Sequence, residues 1–118
     1  MSNITIWHNP RCSKSRDSFN LLEERKIDVE VFKYLETVPT KEELQGVLKM
    51  LGMDSARDLI RTKESIYTEL NLKDEISEDA LVEAMVANPK LIERPIVIKD
   101  GKAVIGRPIE KVIALLAS

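Results

Sequence analysis

The chain has 118 residues, with 18 Lys plus Arg, 20 Asp plus Glu, one His and one Cys, and this length fits one compact domain. Its net charge of -2 excludes a strongly basic nucleic-acid binder. A single cysteine excludes an intramolecular disulfide, a CxxC redox pair and a multi-cysteine zinc site. The sequence shows no signal-peptide pattern and no membrane-length apolar run, so we expect a cytoplasmic monomer without membrane partners or bound metal.

The first third of the chain predicts a strand, a helix and a second strand. Residues 4–7 are β-branched or aromatic, and residues 29–34 alternate between apolar and polar side chains, which is typical of strands. Between them, helical spacing predicts a helix from Cys12 or Ser13 to about Arg25. A strand, a helix and a strand in this order favour a parallel pair with a right-handed crossover.

The middle of the chain predicts helices. Thr40 followed by Glu43 forms a capping box, and Gly52 is a typical residue to end the helix that starts there. Serines stand just before three further helical stretches, and we expect each of them to be an N-cap: Ser55, Ser65 and Ser77.

The last third predicts a hairpin and a final helix. Residues 95–98 and 103–105 are apolar and flank the turn Asp100-Gly101, a strong hairpin signal, and Pro108 fits the first position of a helix. The order βαβ, helices, ββα predicts an α/β fold with a four-stranded mixed sheet. This is the thioredoxin-like plan, as a single domain over residues 1–118 with a helical insertion at about 40–88.

Cys12 stands where a loop passes into a helix, and its neighbours are polar and basic. The unpaired N–H groups and partial positive charge of a helix N-terminus favour a thiolate or a bound anion. A buried, inert cysteine is the alternative interpretation. A phosphatase loop would need Arg at position 18, which is Ser18, and a dithiol oxidoreductase would need Cys at position 15, which is Ser15.

His8 and three arginines are further candidates. His8 either orients the thiolate or bonds to the loop backbone. The hairpin register predicts that Arg94 and Arg107 face each other, which is unfavourable unless an anion lies between them. Alternatively, the two side chains extend into solvent or pair with Glu93 and Glu110. The predicted topology brings Cys12, Arg94 and Arg107 to one cleft, and Arg61 is a third arginine in apolar company.

The sequence resembles the glutaredoxin- and glutathione-dependent arsenate reductases, in a short-chain subgroup, and the similar blocks run through nearly the whole chain. They are residues 4–16, 34–37, 59–61, 93–97 and 106–108. The resemblance implies a thioredoxin-like fold with a helical insertion and a cis Pro95. It implies that Cys12 is the nucleophile, that His8 and Ser15 support its thiolate, and that the three arginines Arg61, Arg94 and Arg107 hold arsenate.

The function implied by this resemblance is the reduction of arsenate to arsenite through a covalent Cys12–arsenic intermediate. Glutathione would be a co-substrate and glutaredoxin a partner, and no cofactor would be bound. Two other functions stay open: a redox regulator of the same fold that binds RNA polymerase, and a general monothiol transferase that uses glutathione. The regulators carry a CxxC switch whose second position is Ser15 here, and a transferase has no use for Arg94 facing Arg107.

Overall fold

The computed structural model describes residues 4–106 and 108–117, and the chain forms two compact units. The first comprises Met1–Thr37 and Arg94–Ser118, and the second comprises Val38–Glu93. The second unit is the helical insertion predicted at about 40–88, and it extends a few residues further at each end. The organisation as one domain stays a prediction.

The first unit contains a four-stranded mixed sheet, which confirms the predicted α/β, thioredoxin-like fold. Its strands are β1 (Ile4–Trp7), β2 (Val29–Phe32), β3 (Ile96–Lys99) and β4 (Lys102–Ile105). The order in the sheet is β2-β1-β3-β4. Strand β1 pairs parallel with β2 and antiparallel with β3, and β3 pairs antiparallel with β4.

The described residues form five α-helices, and the second unit also contains three short 3₁₀ turns. The helices are α1 (Ser13–Glu24), α2 (Lys41–Leu51), α3 (Ser65–Glu69), α4 (Glu78–Ala87) and α5 (Glu110–Ala117). Among these described helices, none is long and apolar enough to cross a membrane.

One apolar cluster forms the core of the first unit. Its buried members come from β1, β3, α1 and α5: Ile4, Ile6, Leu22, Val97, Val112 and Leu115. Alternate residues of β1 point to this side of the sheet because side chains alternate along a strand. The predicted start of the last helix at Pro108 is wrong. A tight turn comes first, in which Lys111 N–H donates to Pro108 O at 3.0 Å, and α5 begins at Glu110.

The start and end of α2 agree with the sequence. Thr40 Oγ1 accepts a hydrogen bond from Glu43 N–H at 3.1 Å, and Glu43 Oε1 accepts one from Thr40 N–H at 3.0 Å. These two bonds are the predicted capping box. Gly52 ends the helix in the left-handed region at φ 71°, where a residue without a Cβ is least strained.

Two of the three predicted serine caps are present. The hydroxyls of Ser55 and Ser77 each accept a hydrogen bond from a backbone N–H in the turn that follows. Ser65 is not a cap and the prediction was wrong, because Ser65 is already the first helical residue of α3 and Glu64 occupies the cap position without a side-chain bond.

The hairpin has the predicted turn and register. Asp100 and Gly101 lie at φ 49° and φ 79°, which is the conformation of a two-residue type I′ turn. Ile96 lies opposite Ile105. Beyond this pair, Gly106 N–H donates to Pro95 O at 2.8 Å, so the two chains stay adjacent up to the residues that precede β3 and follow β4.

Candidate active site

Four segments of the first unit meet at one edge of the sheet, which we call the site edge. Trp7, the last residue of β1, lies beside Phe32 at the end of β2 and opposite Ile96 at the start of β3. Ile96 in turn lies opposite Ile105 at the end of β4. The site edge is therefore formed by residues 8–12 after β1, 33–37 after β2, 94–95 before β3 and 106 after β4.

Cys12 lies at the N-terminus of α1, as the sequence predicts. It is the N-cap residue in an extended conformation, and 8% of it is exposed. Its N–H donates to Asn9 O at 3.0 Å, and its carbonyl accepts from Arg16 N–H at 3.0 Å. The first turn of α1, all of it described, carries no acidic side chain. The helix dipole at this point therefore favours negative charge on the sulfur or on a bound anion.

Two predicted site residues, His8 and Ser15, contact each other. His8 Nδ1 lies 2.6 Å from Ser15 Oγ, and the same Oγ accepts a hydrogen bond from Asn9 N–H at 2.9 Å. Both side chains are buried, and the His8 ring stacks on Phe19 with 5.1 Å between centroids. One buried hydroxyl of α1 therefore holds the loop that leads from β1 to Cys12.

The His8 ring is neutral at neutral pH. Burial lowers the pKa of His8 below its ordinary value, and the nearby charges of Lys33 and Arg16 lower the pKa further. The histidine therefore acts on the loop through its hydrogen bond and its stacking, and it adds no positive charge near Cys12.

Arg94 and Pro95, which precede β3, have the backbone conformation that the family resemblance implies. The Arg94–Pro95 peptide bond is cis, as the resemblance implies, and Pro95 is buried while Arg94 is half-buried. Because Pro95 precedes Ile96, which lies opposite Ile105 and near Trp7, Arg94 belongs to the same edge as the loop that ends at Cys12.

Ser18 and Gly106 join α1 to this edge, and the sequence reasoning missed both. A Cβ placed on Gly106 would lie 2.5 Å from Ser18 Oγ and 2.8 Å from Pro95 Cγ, so the backbone of residue 106 fits only because it is glycine. A glycine at the end of a strand, next to a candidate arginine, is a signal of close backbone approach that could have pointed to this contact.

The other two arginines are not brought to the site edge by the described contacts. Arg107 lies outside the described residues, so its predicted pairing with Arg94 and any contact with Glu110 stay predictions. Arg61 belongs to the second unit, where its guanidinium lies 3.3 Å from Glu64 Oε1 and 3.4 Å from Glu93 Oε1.

The described part of the chain contains no candidate metal-binding site. Within residues 4–106 and 108–117, no group of three or more His, Cys, Asp or Glu side chains could hold a metal ion. The groups that the site edge offers to a ligand are the thiol of Cys12, the N-terminus of α1 and the side chain of Arg94.

Comparisons with known proteins identify the family of this chain. The ArsC family matches residues 7–115. The arsenate reductase of Neisseria meningitidis serogroup A is 50% identical over 117 residues, which cover 98% of this chain and 100% of that protein. The uncharacterized protein YfgD of Escherichia coli K12 is 56% identical over 114 residues, 96% of each chain. The solved arsenate reductase of Vibrio cholerae is 51% identical with a TM-score of 0.91, covering 94% of this chain and 95% of that chain. The chain therefore belongs to the ArsC family, with the thioredoxin-like fold that its resemblance to the arsenate reductases implies.

Proposed function

We propose that the protein reduces arsenate to arsenite, with Cys12 as the nucleophile. The observation that carries the proposal is the position of Cys12 as the N-cap of α1, at the site edge, with no acidic residue in the first helical turn. Full-length similarity at 50% identity to a protein named arsenate reductase supports the same reaction.

In the first step the Cys12 thiolate attacks arsenic, an S–As bond forms, and one arsenate oxygen leaves as water after protonation. The helix N-terminus and the guanidinium groups would stabilise the charge on the remaining oxygens. We assign Arg94 to the oxyanion because it precedes β3 at the site edge, and Arg107 and Arg61 on the basis of the family resemblance. In this role Arg61 would have to share its guanidinium between the oxyanion and the two carboxylates of Glu64 and Glu93.

The second step takes two electrons from external thiols, because the chain contains one cysteine. Glutathione forms a second S–As bond and displaces another oxygen as water. The glutaredoxin thiolate then attacks the glutathione sulfur, so a mixed disulfide leaves and the electron pair of the broken S–As bond stays on arsenic. Arsenic passes from the pentavalent to the trivalent state, and water then releases arsenite and regenerates the thiol of Cys12. Such thiol chemistry belongs to the reducing cytoplasm.

His8 and Ser15 would serve as positioning residues in this reaction. Their hydrogen bond and the Asn9 N–H bond to the same hydroxyl hold the loop before Cys12. A fixed loop keeps the sulfur at the helix N-terminus, which is the geometry that the attack on arsenic requires.

Intact-mass analysis after exposure to arsenate and glutathione tests the proposal. We expect an arsenic-bearing adduct on the wild-type protein and none on Cys12→Ser, and arsenite release once glutaredoxin is added. Arg94→Ala should raise the KM for arsenate at least tenfold, whereas Arg25→Ala, at the opposite end of α1, serves as the matched control and should leave it unchanged.

Three results would contradict the proposal. A wild-type protein that binds arsenate and forms no arsenite would show that the site is not a reductase. Full disulfide exchange with glutathione in Arg94→Ala, without arsenate reduction, would favour the general thiol transferase. Recovery of RNA polymerase subunits that depends on an intact Cys12 would favour the regulator.

A further inference from the structure

A groove of about 270 Å³ lies beside the cysteine loop in the first unit. Seven residues line it, and they come from the loop after β1 and the turn after β2: His8, Asn9, Pro10, Arg11, Lys33, Leu35 and Glu36. The volume is just below the usual range of about 300–1,000 Å³ for small-molecule pockets, so the groove suits a short peptide rather than a large cofactor.

Backbone contacts build this groove next to Cys12. His8 N–H donates to Phe32 O at 2.9 Å, which keeps the two segments together beyond the end of the β1–β2 pairing. The turn after β2 is closed by bonds from the N–H groups of Glu36 and Thr37 to Lys33 O. On the other wall, Asn9 O accepts from Cys12 N–H, so the groove wall and the cysteine belong to one closed loop.

The charged side chains of the groove are available to a ligand. Arg11, Lys33 and Glu36 are exposed, and within the described part of the chain their charged groups form no ion pair. Leu35 and Pro10 add exposed apolar surface between them. Two cations and one carboxylate leave one net positive charge, and the neutral His8 adds none.

We propose that this groove binds glutathione and directs its thiol to the arsenic held on Cys12. At neutral pH glutathione carries two carboxylates and one ammonium group, which match the charges of Arg11, Lys33 and Glu36 in number and sign. The inference rests on the proposed function, because glutathione is the thiol that adds to the S–As intermediate there. The groove binds glutathione and takes no part in the chemistry. The bond between the glutathione sulfur and arsenic forms as in the proposed reaction, and one arsenic-bound oxygen leaves as water.

Lys33→Gln tests the groove because Lys33 lies outside the loop that carries Cys12. Exposed ion pairs contribute modestly, so we expect the KM for glutathione to rise about three- to fivefold. The KM for glutathione diethyl ester, whose carboxylates are uncharged, should change less than twofold. Lys111→Gln removes an exposed cation of α5 outside the groove and should leave both constants unchanged.

The double variant Arg11→Gln/Lys33→Gln should raise the KM for glutathione about tenfold or more. Its rate of alkylation by neutral iodoacetamide corrects for any effect on Cys12 itself. A KM for glutathione within twofold of wild type in this variant would overturn the proposal, as would equal changes for glutathione and its ester. A raised KM for glutaredoxin with an unchanged KM for glutathione would assign the groove to the protein partner instead.

A binding measurement separates this proposal from the proposed function. S-methylglutathione cannot exchange its sulfur, so its titration into the ¹⁵N-labelled protein reports binding without arsenate. We expect amide shifts in residues 8, 9, 11 and 33–36 and a Kd raised at least threefold in Lys33→Gln. Such shifts without any arsenate reduction would support the groove and contradict the reductase. Arsenate reduction without any shift in these residues would contradict the groove alone.

Discussion

Gly106→Ala should destabilise the protein by about 2 kcal/mol, although it adds a single methyl group. The new Cβ would lie 2.5 Å from Ser18 Oγ, 2.8 Å from Pro95 Cγ and 3.3 Å from Val112 Cγ2, and ordinary van der Waals contact begins near 3.4 Å. The backbone cannot move away freely, because Gly106 N–H is bonded to Pro95 O at 2.8 Å. Overpacking of this kind costs about 1–3 kcal/mol, and two contacts below 3.0 Å place this site near the upper end of that range. The lower entropy of unfolded alanine offsets about 0.4–1 kcal/mol, which leaves a net cost of about 2 kcal/mol.

Urea unfolding followed by the fluorescence of Trp7, a buried residue of the same unit, measures this cost. Gly46→Ala is the matched control: a Cβ there meets nothing within 4 Å, and alanine in a helix should stabilise by about 0.5–1 kcal/mol. Ser18→Ala alone should be near neutral, since its hydroxyl has no hydrogen-bond partner among the described residues. In that background the cost of Gly106→Ala should fall by about 1 kcal/mol without vanishing, because the Pro95 contact remains. A Gly106→Ala protein as stable as wild type would refute the reasoning.

Other changes test the caps, the second unit and the histidine. Thr40→Ala removes one half of the capping box and should cost about 1 kcal/mol of unfolding free energy in urea, whereas Thr40→Ser should keep most of it. Arg57→Met should cost about 2 kcal/mol, because the guanidinium donates to Tyr67 Oη and to two backbone carbonyls; a loss below 0.5 kcal/mol would contradict this role. The pKa of His8 is lower in the folded chain than its ordinary value of 6.5, so stability from neutral His8 is complete above about pH 6.5 and is lost as pH falls toward the folded pKa. Unfolding free energies at pH 7 and pH 5 should therefore differ less in His8→Gln than in wild type, and equal differences would contradict the lowered pKa.

Features set by neighbouring residues could be predicted from the sequence. The capping box of Thr40 and Glu43 and the turn at Asp100-Gly101 depend on backbone bonds and φ angles within four residues, so their residue types suffice. Once the turn was known, the whole hairpin register followed, since pairing without a bulge is determined by the turn.

Features set by tertiary packing could not be predicted in this way. Alternation extended the second strand to Tyr34, but the strand ends at Phe32, and Tyr34 is buried with its ring stacked on Trp7 at 6.2 Å between centroids. At Tyr34, burial against the ring of Trp7 takes the place of strand pairing. Serine is a residue type that often caps helices, but Ser65 is itself the first residue of α3, and the cap position belongs to Glu64.

The candidate site shows the same division. The place of Cys12 at a helix N-terminus is a local property, and the sequence predicts it. The bond between His8 and Ser15 joins residues seven positions apart on different elements, and sequence reasoning left the role of His8 open. The ion pair of Arg61 with Glu93 spans 32 positions, and no local pattern shows it. The contact of Gly106 with Ser18 needs α1 to lie over the hairpin, so the glycine after β4 signals a close approach without naming its partner.

Because the chain has a single cysteine, the site edge must give access to both an oxyanion and an external thiol. Forming a disulfide from two thiols releases two electrons, and this chain has one cysteine. In the proposed reaction an external thiol must therefore reach the arsenic bound to Cys12 at every turnover while the oxyanion stays held. The sheet order β2-β1-β3-β4 separates the two: the groove lies where β1 and β2 end, whereas Arg94 and Gly106 lie at the β3–β4 side. Because the loop of Cys12 follows β1, between these two sides, the sheet order lets a thiol enter from one side while the oxyanion is held from the other. The expected consequence of that separation is that Lys33→Gln weakens glutathione binding while the KM for arsenate stays unchanged.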